Sequence, residues 1–124
     1  MIHTSLRMDF TPDKFEEALQ ILHSIIEPTR AEVGCIDCSV YQDTGHENQI
    51  LFIQKWRSEK FLQRHLRSDE YQKVLLVMDM ALTPPEIVFD TISSTSGVET
   101  IEKARTSKAI KGNEKPDNSD GGEE

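Results

Sequence analysis

From Ile2 to Phe10 the chain alternates strictly, with Ile2, Thr4, Leu6, Met8 and Phe10 on one side and His3, Ser5, Arg7 and Asp9 on the other. A period of two predicts a strand with one buried face. Thr11-Pro12-Asp13 supplies an N-cap, a proline at the first helical position and an acid at the positive helix end, after which Phe15, Leu19, Leu22, Ile25 and Ile26 recur at helical spacing. This predicts a helix to about Ile26, because Pro28 lacks a backbone donor and restricts Glu27. Gly34 then opens the next element. CIDCSVYQD alternates, TGHEN is turn-like and QILFIQKW is rich in β-branched and aromatic residues, which together predict a hairpin. Ser58 can cap a helix carrying Phe61, Leu62, His65 and Leu66, and Ser68-Asp69-Glu70 reads as a fresh cap for a segment carrying Tyr71, Val74, Leu75 and Met78. The two form one long broken helix, stopped at Pro84-Pro85, and EIVFDTIS follows as a fourth strand. The order βαββαβ is the split βαβ pattern: an α+β, ferredoxin-like fold with an antiparallel four-stranded sheet and both helices on one face.

That arrangement leaves the second face of the sheet uncovered. The third strand is apolar on both sides, with Leu51 and Ile53 pointing one way and Ile50, Phe52 and Trp56 the other. Leaving either side in water would expose a contiguous apolar patch. The expected cover is a second copy of the same sheet, giving a homodimer. This organisation assigns residues 1–95 to the domain, 96–106 to a short helix around VETIEKAR, and 107–124 to a polar tail too poor in apolar residues to pack.

With 124 residues, 36% of them hydrophobic, the chain can bury one modest core. Its net charge of −8 repels a phosphate backbone, and no basic cluster interleaved with aromatics offsets this, so nucleic acid is not an expected partner. The alternating N-terminus is unlike a signal peptide, no run reaches membrane-spanning length, and two cysteines do not make a disulfide scaffold. The expected location is the cytoplasm, with both thiols free and no membrane partner.

Candidate chemistry is sparse. Cys35-Ile36-Asp37-Cys38 has CxxC spacing, but if the segment is a strand residues three apart point to opposite faces, so the thiols are not expected to share a metal or an unstrained disulfide, and Cys38 joins Ile36 and Val40 in the core. The six scattered glycines make neither a dinucleotide fingerprint nor a phosphate loop, and the acids show no metal-ligand spacing, so no cofactor and no metal are expected. His65 stands out, four residues after Phe61 on an apolar helix stripe and near Trp56 at the end of the third strand. It admits two readings, a hydrogen-bonded core residue or a base.

The ordered pattern RAEVGCIDCSVYQD, LFIQKWRS, FLQRHLRSDEY and PPEIVFD, spanning about residues 1–95, resembles the antibiotic-biosynthesis-monooxygenase family of dimeric α+β barrels. Trp56-x-Ser58 followed by His65-Leu66 and Tyr71 is most similar to the small quinol monooxygenases. Where anthrone-oxidising members carry Asn and Tyr around the matching Trp, this chain has Phe52 and Leu62; where haem degraders use a helix histidine it has Leu75 or Leu76, and residues 1–12 contain no Asn. The resemblance implies a cofactor-independent monooxygenase acting with dioxygen on a small electron-rich aromatic of quinol type. His65 would be the base, Trp56 would stack on the ring, and Phe52, Phe61, Leu62 and Tyr71 would wall a water-excluding site. The other readings are a dimeric small-molecule-binding protein without turnover, and an isomerase of a small polar metabolite, although no Lys, Arg or Gly cluster would hold a phosphate.

Overall fold

A computed structural model describes residues 1–110. Four strands, β1 (Ile2–Asp9), β2 (Cys35–Gln42), β3 (Gln49–Trp56) and β4 (Glu86–Thr91), alternate with helices α1 (Pro12–Arg30), α2 (Glu59–Leu66) and α3 (Tyr71–Met80), and α4 (Val98–Ile110) follows. The sheet order is β2-β3-β1-β4 with every neighbouring pair antiparallel, which is the ferredoxin-like arrangement. Met1–Ser93 form one compact unit, and α4 belongs to a second unit beginning at Ser94. That helix extends to Ile110, past the expected end at 106, and 111–124 of the expected polar tail lie outside the described residues. No described helix is long and apolar enough to cross a membrane.

The alternation in β1 is realised as read: Ile2, Thr4, Leu6 and Met8 are buried, together with Ile50, Phe52, Gln54 and Trp56 opposite them on β3. Ala18, Leu22 and Ile25 of α1 and Val74 and Val77 of α3 close over this face. Phe52 therefore belongs to the core beneath the helices. On the other face the rungs Ser39-Ile53-Ser5-Val88 and Tyr41-Leu51-Arg7-Glu86 mix apolar and polar side chains.

Three local expectations are corrected. The first helix runs four residues past Ile26, with Pro28 inside its last turn. So near the C-terminus the missing N–H costs a single ladder bond, and the turn is held by Ala31 N–H donating to the Glu27 carbonyl (3.1 Å) and by Arg30 Nε donating to the Cys38 carbonyl (2.9 Å). Second, β2 is not regular: Cys35 pairs with Trp56 and Asp37 with Lys55, leaving Ile36 as the extra residue of a β-bulge. Cys35 and Cys38 consequently face the same side, opposite Trp56 and Gln54, and Ile36 is exposed rather than in the core. Third, Ser58 occupies the N-cap of α2 without a side-chain cap bond, whereas Ser68 does link the two helical segments: its hydroxyl donates to the His65 carbonyl (2.6 Å) and accepts from Tyr71 N–H (3.3 Å).

Candidate functional site

His65 projects from the last turn of α2 towards the end of β3 and is completely buried. Its ring lies against the Trp56 indole at a centroid distance of 4.7 Å and 31° tilt, and Tyr71 meets it edge-on at 5.4 Å. The site thus brings together three residues expected from the sequence: His65, Trp56 and Tyr71.

Two residues the sequence reading missed complete it. Glu32, in the turn between α1 and β2, places its carboxylate 3.0–3.1 Å from His65 Nδ1. Gln54, beside Trp56 on the inward face of β3, has its amide nitrogen 3.3 Å from His65 Nε2 and 3.9 Å from Cys38 Sγ, while its Oε1 accepts from Trp56 Nε1 at 3.2 Å. Gln54 had a sequence signal: it interrupts the inward apolar series Ile50, Phe52, Trp56, and a buried amide requires partners. Glu32 had none, because its placement depends on how the α1–β2 turn closes. That turn is fixed by Glu32 N–H donating to the Thr29 carbonyl (3.0 Å), Cys35 N–H to Glu32 (3.1 Å) and Arg57 N–H to Gly34 (2.8 Å).

The Glu32 side chain is 27% exposed while that of His65 is 0% exposed, so the carboxylate joins the buried imidazole to solvent. Burial pushes the Tyr71 hydroxyl up, keeping it protonated at neutral pH. Burial also pushes the Cys38 thiol up to about 12, and burial followed by the nearby Glu32 charge raises Cys35. Neither thiol is a ready nucleophile. Among the described residues no three His, Cys, Asp or Glu side chains converge as metal ligands would.

A cleft of about 180 Å³ opens beside this network, lined by Ile2, Glu59, Leu62, Gln63, Leu66, Phe89 and Thr91. Leu62 is the one expected wall residue on its lining. Trp56 packs beneath it in a cluster with Ile2 and Leu62. Phe61 packs against the same cluster from outside, over Gly34 and under the Arg64 guanidinium (5.6 Å), while Phe52 sits deeper in the core. His65 does not reach the cleft surface, although Leu62 and Leu66, on either side of it along α2, both do.

A family model described as antibiotic biosynthesis monooxygenase matches residues 1–75. An uncharacterized protein of Synechocystis sp. is 35% identical over 85 residues, covering 68% of this chain and 58% of its own length. The Bacillus subtilis protein YcnE, by its name a proposed monooxygenase, is 30% identical over 61 residues, covering 49% of this chain and 64% of its own. The chain thus matches less than two thirds of either relative. The solved structure of Rv0793 from Mycobacterium tuberculosis superposes with a TM-score of 0.70 at 22% identity, covering 77% of this chain and 98% of that one, a likeness of fold.

Proposed function

Because the chain belongs to the antibiotic biosynthesis monooxygenase family, we propose that it is a cofactor-independent monooxygenase that oxidises a small, electron-rich aromatic of quinol type with dioxygen. The observation that carries this reading is the buried His65–Glu32 pair against Trp56, whose packing partners Ile2 and Leu62 line a cleft of mixed apolar and polar character. A cavity of roughly 150 Å³ is enough for a benzene ring, and the cleft, at about 180 Å³, is of that order.

In this mechanism the substrate supplies all four electrons. Removal of a phenolic proton produces an anion able to pass an electron to dioxygen; recombination forms a ring C–O bond to a peroxide, which takes up a proton. Its O–O bond then breaks as the ring C–H proton is lost, so that a quinol and dioxygen give a hydroxyquinone and water. The protein has to accept the proton, keep the ring in place and exclude bulk water. His65 does not reach the cleft, so Leu62 or Leu66 has to move aside before its Nε2 takes the proton; Nδ1, facing Glu32, then lets the charge be shared with a carboxylate that reaches solvent. Trp56, Leu62, Leu66 and Ile2 provide the apolar surroundings, and Phe89 on β4 forms the outer wall. Among the described residues no Lys or Arg lines the cleft and Glu59 does, which favours a neutral substrate over a phosphorylated one. The working form is a homodimer closed through the sheet face away from α1–α3, where Tyr41 and Val88 are exposed beside half-buried Leu51 and Ile53.

The complete enclosure of His65, with both ring nitrogens already bonded, favours a second reading: a dimeric protein that binds a small aromatic without turnover. Incubation with a reduced quinol under ¹⁸O₂ separates the two. The monooxygenase reading predicts one labelled oxygen in the product and one in water; binding detected calorimetrically with product label at the protein-free level would support the second.

A further inference from the structure

The hydrogen-bond chain through His65 has a direction. An indole N–H can only donate, so the Gln54 atom facing Trp56 Nε1 at 3.2 Å must be the amide oxygen. This turns the Gln54 NH₂ group towards His65 Nε2 (3.3 Å) and Cys38 Sγ (3.9 Å), giving each of its hydrogens an acceptor. His65 Nε2 must then carry a lone pair. At the other end the Glu32 carboxylate only accepts, so the ring proton sits on Nδ1. Both ends specify the same tautomer, and all four side chains are satisfied in one arrangement.

We propose that Trp56 and Gln54 are positioning residues that hold His65 neutral, with its proton on Nδ1 towards Glu32 and its Nε2 lone pair capped by a single amide N–H. Placing a second proton on Nε2 in the free protein would set it against the Gln54 donor. Turning the amide to relieve that clash would set its NH₂ against the indole N–H, with Cys38 as the remaining neighbour. The arrangement therefore protects the acceptor nitrogen from solvent protons until a ligand hydroxyl replaces the amide. Its catalytic meaning rests on the monooxygenase reading; the tautomer lock itself does not.

The test uses ¹⁵N-histidine-labelled, untagged protein carrying His3→Gln, His23→Gln and His46→Gln, substitutions outside the core that leave His65 as the sole histidine. Near neutral pH the proposal expects a protonated Nδ1 and a bare Nε2; a protonated Nε2, in either the neutral or the charged ring, overturns it. In Gln54→Glu a carboxylate can accept from Trp56 and His65 together, so the ring should become doubly protonated. In Trp56→Phe the amide is free to turn, so a form with protonated Nε2 should appear. An unchanged ring in either variant overturns the lock. Oxygen uptake by Gln54→Glu should fall about a hundredfold as its acceptor nitrogen is filled. Absence of uptake in the parent protein would refute the monooxygenase reading alone, because the nitrogen spectra judge the lock separately.

Discussion

Gly34 adopts φ +90°, and a Cβ built there would overlap the Phe61 ring, so this position combines a left-handed backbone with a close helix approach. Gly34→Ala should cost about 3 kcal/mol in urea unfolding and disturb the turn that presents Glu32. Glu32→Gln keeps an acceptor for His65 Nδ1–H but removes the charge, so stability should fall by only about 1 kcal/mol, while quinol-dependent uptake should drop at least about tenfold. The thiols give a pH test. Cys38 is raised from 9.0 to about 12 by burial, so the folded chain holds this proton more tightly than the unfolded one. Its contribution to stability is whole below pH 9 and is lost as pH rises towards 12. Alkylation at pH 8 should accordingly modify half-buried Cys35 well before Cys38, as peptide mass mapping would show. At this scale the sequence was legible where a residue contradicted its own pattern, as His65 did and Gln54 could have, and silent where a side chain such as Glu32 acts across 33 residues through a turn.

β1, β3, α1 and α3 follow the periodicities closely because each carries one continuous buried face; the departures occur where a tertiary contact outweighs a local signal. Pro28 ought to end α1, yet the Arg30 guanidinium on the Cys38 carbonyl and the Ala31 N–H on the Glu27 carbonyl hold one more turn together. The bulge at Ile36 is invisible in an alternating stretch, since one extra residue shows only in the pairing with β3. It also serves the site by bringing Cys35 round to the Trp56 and Leu62 cluster while Cys38 meets Gln54. Ile36→Thr should therefore change stability by less than about 0.5 kcal/mol, Ile36 lying outside the core and exposed, whereas deletion of Ile36 should cost more than about 3 kcal/mol by turning Cys35 to the opposite face. The two urea midpoints would show the contrast.

For the whole molecule, the order of elements was readable because the strand and helix periods switch cleanly along the chain, and it leads, within Met1–Ser93, to a sheet with α1, α2 and α3 packed on one face. The cleft was not readable, because it joins Ile2, α2 and Phe89 from distant parts of the sequence. Face-to-face pairing predicts that Ile53→Glu, which puts a charge among Ser39, Ser5 and Val88, converts a dimer into a monomer in sedimentation. The central claim is that the buried His65 imidazole beside the cleft activates a substrate for reaction with oxygen. Its most direct test is oxygen consumption by the purified metal-free and flavin-free protein over a panel of reduced quinols and anthrones, beside His65→Gln and a protein-free autoxidation control. The account predicts uptake well above autoxidation that falls to that baseline in His65→Gln with the fold intact; uptake equal to autoxidation on every substrate, or undiminished in the variant, would contradict it.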